Sequence, residues 1–176
     1  VKLGQDIDGE AAVDQSGQSV SLSSDGTIIA IGAIGNDGNG NASGHVRVYQ
    51  YNGVDTWTQL GSDIDGESAG DLLGQSVSLS SDGSIVAIGA TENDGVNGNA
   101  SGHVRIYQYN GSGNPWLQLG SDIDGEAAGD GSGISVSLNS KGSIVAIGAS
   151  GNDGVNGETS GHVRVYQYNG VDTWTQ

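Results

Sequence analysis

Residues 18–33 read QSVSLSSDGTIIAIGA. In the first six letters apolar and hydroxyl side chains alternate. Val20 and Leu22 stand against Ser19, Ser21 and Ser23, the period of a strand with one apolar face. SSDG then supplies an Asp-Gly pair, which favours the φ > 0 turn that matches the twist of a hairpin. TIIAIGA is apolar on both faces, as a strand covered from both directions requires. The stretch predicts an antiparallel pair whose second member must be sandwiched.

Working outward, nearly the same letters return at 75–90 and 134–149. The chain consists of three copies of one unit, residues 3–59, 60–118 and 119–176. Asp6, Asp63 and Asp122 mark the copies, as do His45, His103 and His162, and Trp57, Trp116 and Trp174. Each unit predicts four strands: QSVSLS, TIIAIGA, HVRVYQY and WTQLGSDI in the first. A polar loop precedes the third strand, the turn NGVDT precedes the fourth, and an acidic connector such as DGEAAGD leads on. No useful amphipathic pattern of helical period is present.

A four-stranded antiparallel unit repeated in series predicts an all-β propeller in a single domain, residues 1–176, with three blades per chain. Propellers close with about four to eight blades. The expectation is therefore a homodimer completing a six-bladed ring, since closure removes exposed sheet edges. The strand-D pattern is divided between VKLG at one end and TWTQ at the other, which suits strand exchange at a seam.

Composition narrows the partners. The net charge is −16 with only five Lys and Arg, a surface that repels nucleic acid and anionic membranes. There is no Cys, so disulfides, thiolate metal sites and Cys nucleophiles are excluded. No stretch approaches the roughly 18 consecutive apolar residues of a membrane-spanning helix.

SGQSVSLSSDGTIIAIGA resembles the FG-GAP repeat of integrin α-type propellers and of many secreted proteins. The resemblance rests on Gly17, Gly74 and Gly133 before the first strand, the Ser-Val pair within it, and the Ile-Gly-Ala end of the second. The family's Phe before that Gly is Ser16, Leu73 and Ser132 here, and the Pro after Gly-Ala is Ile34, Thr91 and Ser150. The family often carries a calcium loop between its first two strands. SSDG and NSKG are too short to wrap a cation. The resemblance implies adhesion, ligand recognition or scaffolding at an extracellular or cell-surface location.

Three groups of residues are candidates for a site. On the third strand His45, Arg47 and Tyr49 share a face, as do His103, Arg105, Tyr107 and His162, Arg164, Tyr166. A buried Arg needs partners, and the acidic connector provides them, so these groups read first as a structural network and second as a ligand site in each blade. Three equivalent copies argue against acid–base catalysis, which needs an asymmetric constellation. In the connectors Asp6, Asp8, Glu10, Asp14, then Asp63, Asp65, Glu67, Asp71, then Asp122, Asp124, Glu126, Asp130 keep one spacing. Alternating carboxylates on a curved loop suit calcium, and pairing with Arg or capping of turns is the other reading. Trp57, Trp116 and Trp174 either stack on a sugar or pack between blades. The polar loop before the third strand takes inserted Val96 and Val155 in the later copies, which reads as turn chemistry rather than a metal loop.

The expected function is a non-catalytic binding and scaffolding module, calcium-stabilised through the connectors. A multivalent lectin with one site per blade and a designed or reconstructed repeat protein without ligand are the alternatives.

Overall fold

The computed structural model describes residues 1–111 and 116–176. Every element is a β-strand. The first blade runs β1 (Ser16–Leu22), β2 (Ile28–Ala33), β3 (His45–Tyr51) and β4 (Trp57–Gln59), with β5 (Ile64–Asp65) added along β3. The second repeats this as β6 (Ser76–Leu79), β7 (Ile85–Ala90), β8 (His103–Tyr109), β9 (Trp116–Gln118) and β10 (Ile123–Asp124). The third has β11 (Ser135–Leu138), β12 (Ile144–Ala149), β13 (His162–Tyr168) and β14 (Trp174–Thr175). All named pairings are antiparallel, and the blades share one register: Ile31 faces Arg47, Ile88 faces Arg105, Ile147 faces Arg164.

The hairpins form where SSDG predicts them. Gly26 and Gly83 take φ of 71°, a conformation that is cheap only for a residue without Cβ. Ahead of them the Asp25 carboxylate accepts from Thr27 N and from both neighbouring hydroxyls. In the third hairpin Lys141 replaces the Asp, and Asn139 Oδ1 takes over by accepting from Ser143 N at 2.9 Å.

The fourth strand departs from expectation. WTQLGSDI is not one strand but two, β4 and β5, both on the same edge of the third strand. Leu60 N still donates to Val48 O at 2.7 Å, but Gly61 turns out of the sheet at φ 86°. The consequence is an interlock: β5 and β10 belong in sequence to the following repeat but pair with the preceding blade.

The core lies between blades. Val46 and Val48 of the first blade meet Val77, Leu79, Val86 and Ile88 of the second. Val104 and Ile106 of the second meet Val145, Ile147, Tyr166 and Trp174 of the third. From Val86 to Ala90 every residue of β7 is buried, as its apolar run requires. The inner strands β1, β6 and β11 lie side by side. Ser24 N donates to Ser81 O, and Ser81 N to Ser140 O, at 2.8 and 2.9 Å. Between these strands Ser19 Oγ donates to Gly74 O and Ser76 Oγ to Gly133 O, each at 2.7 Å. Gly32 and Gly89 permit this approach, because a Cβ on either would overlap the facing glycine carbonyl.

Candidate functional site

In the first two blades β5 or β10 pairs with the start of the third strand, at its His. His45 sits opposite Asp65 in the ladder, and His103 opposite Asp124. Two connectors then meet at His45 and at His103. Glu10, from the connector entering the first blade, places Oε2 3.9 Å from His45 Nδ1. Asp63, from the connector leaving it, places Oδ2 at 3.8 Å. In the second blade Glu67 and Asp122 gather around His103 in the same way. His45 is 1% exposed, yet its Nδ1 has no hydrogen-bond partner.

The arginines bind these carboxylates. Arg105 donates from Nε and Nη2 to both oxygens of Asp122, at 2.9 and 2.8 Å, and also pairs with Glu67. Burial works against the Arg105 charge, but Asp122 and Glu67 more than offset it and hold the guanidinium protonated. Burial likewise opposes ionisation of Asp122, and its bonds to Arg105 and Gln118 outweigh that and lower its pKa. Arg47 and Arg164 make a different arrangement. Each pairs with its connector glutamate at 3.4 Å and donates from Nη2 to a backbone oxygen, of Asp8 at 3.0 Å or Asp124 at 2.7 Å. Arg47 and Arg164 also lie over the rings of Tyr49 and Tyr166. Burial pushes the Tyr49, Tyr107 and Tyr166 hydroxyls up. Asp65 and Asp124 are raised by burial and by the neighbouring Asp63 or Asp122. His103 is lowered by burial and by Arg105, so it is neutral near pH 7. Its pocket opens to solvent between Glu67, Asp122, Asp124 and the Asn93–Val96 loop.

The connector acids therefore divide their roles instead of closing on one ion per connector. Asp14, Asp71 and Asp130 are buried caps: Asp14 accepts from Ala11 N, Asp71 from Ser68 N, and Asp130 from Glu126 N and Ala127 N. Asn36 and Asn152 reinforce Asp14 and Asp130. Asp6 is exposed and pairs with Lys2. What the spacing within one connector could not reveal is that Glu10 joins Asp63, and Glu67 joins Asp122, across successive connectors.

The tryptophans pack. Trp116 and Trp174 are buried, and Trp57, Trp116 and Trp174 donate from Nε1 to Leu3, Leu60 and Leu119 carbonyls. Each leans on the last tyrosine of its third strand. A sugar has no access to a buried indole face, so Trp116 and Trp174 offer no stacking platform. The polar loops are turns: Asp37, Asp94 and Asp153 accept from Ala42, Ala100 and Thr159 N, and Val96 and Val155 point into solvent. Ser19, Ser76, Gly32 and Gly89 were absent from the sequence-based candidates. A glycine inside each apolar strand was the available signal of a close backbone approach.

Residues 7–49 match the FG-GAP repeat model. The first repeat is similar to an FG-GAP repeat. Its match covers β1 and β2 and most of β3, and the other two blades reproduce that register. Among solved structures the chain is similar to Kuenenia stuttgartiensis hydrazine synthase, with TM-score 0.57 and 10% identity over 98% of this chain. The chain spans 38% of that chain's length. At that identity the likeness is one of fold. No curated protein matches the chain.

Proposed function

We propose that the chain is a non-catalytic FG-GAP propeller module for binding and scaffolding, extracellular or at a cell surface, in which the Glu–His–Asp pockets take a divalent cation. The observation that carries the cation is the buried His45 Nδ1, which has no partner and faces Glu10 and Asp63. An unsatisfied buried ring nitrogen is costly, and a cation accepted by one imidazole and two carboxylates would satisfy all three. The same three residue types recur around His103. An imidazole in the set favours zinc or another first-row metal over calcium, which prefers an all-oxygen shell.

Near-identical repetition supports a binding role rather than turnover. His45 and His103 are held by the same kinds of neighbours, a glutamate from one connector and an aspartate from the next. A cation there would tie the connector entering a blade to the connector leaving it, adding stiffness to a scaffold.

Thermal melts in zinc, in calcium and in chelator test the reading. A ligand at one hundred times its dissociation constant adds about 2.7 kcal/mol. A zinc-dependent rise in Tm that disappears in a variant carrying His45→Gln and His103→Gln is the expected result. Superimposable melts in zinc, calcium and chelator would remove the cation.

A further inference from the structure

The two end faces of the chain are the two halves of its internal blade contact, left open. In the second blade Val77 and Leu79 are 9% and 7% exposed against the first blade, whereas Val20 and Leu22, their counterparts in β1, are 61% and 57% exposed. At the other end Val163 and Val165 of β13 are 68% and 52% exposed, whereas Val46, Val48, Val104 and Ile106 are at most 1%. Burial of such residues is favourable by about 1.5–3 kcal/mol each, and exposed apolar patches of this kind mark interfaces.

The backbone repeats the pattern. β5 pairs Ile64 with Val46 and Asp65 with His45, and β10 pairs Ile123 with Val104 and Asp124 with His103. Among the described residues no strand occupies this place beside His162 and Val163, and Ile7 and Asp8 pair with no strand. Gly44 bridges to Leu73 and Gly102 to Ser132, while Gly161 makes no such bridge. A Cβ on Gly32 or Gly89 would strike the carbonyl of the next blade, but on Gly148 it would meet no backbone oxygen. Every group that fills these places internally has a counterpart at the opposite end of this same chain.

We infer that a second copy of this chain docks on the third blade, that its Ile7 and Asp8 pair with Val163 and His162, and that the reciprocal contact closes a six-bladed ring. Val20 and Leu22 of each copy then cover Val163 and Val165 of the other, and the Gly17 carbonyl lies over Gly148. The dimer also completes a third pocket. His162 has Glu126 at 3.6 Å but, among the described residues, no aspartate equivalent to Asp63 or Asp122. Asp6 of a second copy occupies that place in the repeat. This pocket rests on the cation reading, whereas the ring does not.

Sedimentation of the full chain should give twice its 17.6 kDa mass. Val163→Glu puts a charge on the open face and touches neither internal blade contact, so it should halve the mass with an unchanged β-sheet spectrum. The chain has no Cys of its own. A chain carrying Ile7→Cys and Val163→Cys should therefore oxidise to a covalent dimer on a non-reducing gel. A single-chain mass for the parent protein overturns the inference and leaves the faces to another protein or to flanking blades. So does a dimer indifferent to Val163→Glu, and a ladder of ever longer covalent species overturns ring closure. A dimer without any cation-dependent change in Tm sinks only the cation.

Discussion

Trp116 Nε1 donates to the Leu60 carbonyl oxygen at 2.8 Å. The bond joins the outer strand of the second blade to the residue at which the chain leaves the first. Trp174 repeats it with Leu119. Trp116→Phe keeps most of the buried surface but leaves that carbonyl without its donor, at an expected cost of about 1–2 kcal/mol. Trp116→Ala adds a cavity and should cost about 3–5 kcal/mol. Urea titration of both variants checks the order. Equal losses would mean that packing alone matters.

Gly89 lies where the carbonyl of Gly133 crosses it. Gly89→Ala should destabilise the chain by about 1–3 kcal/mol, the usual range for overpacking. Gly148→Ala meets only the Ser135 hydroxyl, so in a chain held monomeric by Val163→Glu it should cost clearly less. A chemical-denaturation comparison of the two distinguishes blade contact from a general intolerance of the strand for Ala.

Arg105 holds Asp122 and Glu67 together, with its guanidinium largely buried and both carboxylates partly exposed. Removing one partner of a fully buried pair costs about 3–5 kcal/mol, and of an exposed pair about 0–1. Arg105→Ala should fall between, near 2 kcal/mol, and Arg105→Lys should recover only part because it loses the two-point bond to Asp122. Thermal melts in chelator measure this without any bound metal.

Asp25 and Asp82 are hydrogen-bonded turn carboxylates, and both are lowered below the ordinary aspartate value, first by the Thr27 backbone N–H for Asp25 and by the Ser80 hydroxyl for Asp82. A depressed folded pKa means that the unfolded chain takes up the proton first. The stabilisation is therefore fully present above the unfolded value of 3.8 and is lost as pH falls through the lower folded values. Two-dimensional NMR titration should find Asp25 and Asp82 protonating below pH 3.8, while the third hairpin, with Asn139 and Lys141, shows no matching transition.

Thr159 adopts φ 49°, in the left-handed region, although it is β-branched. Its amide is held by Asp153 Oδ1 at 2.8 Å. The strain in such a residue is about 1–2 kcal/mol. Thr159→Gly relieves it and should raise Tm slightly, and a drop in Tm would mean that the Thr side chain has a use at that turn.

Most of the architecture was legible because it is local. Alternation in β1, the apolar run of β2, and the Asp-Gly turn between them follow from side-chain period and backbone sterics, and a module that cannot bury both faces alone must stack. Repetition at fixed spacing made the repeats visible, but not that β5 and β10 pair with the blade of the repeat before them. The split of the fourth strand was less legible, since Gly61 inside a polar run signals a turn without saying that the chain rejoins the same edge. The candidate site was legible only in its ingredients. The sequence by itself determined which carboxylates, imidazoles and guanidinium groups the blades carry, because composition and period are properties of the chain. Only the tertiary structure decided that Glu10 meets Asp63 at His45, that Asp14 is spent on a cap, and that Trp116 is buried. The Glu10–Asp63 meeting joins residues from successive repeats, and the distance between them is set by how blades pack rather than by how far apart they lie along the backbone.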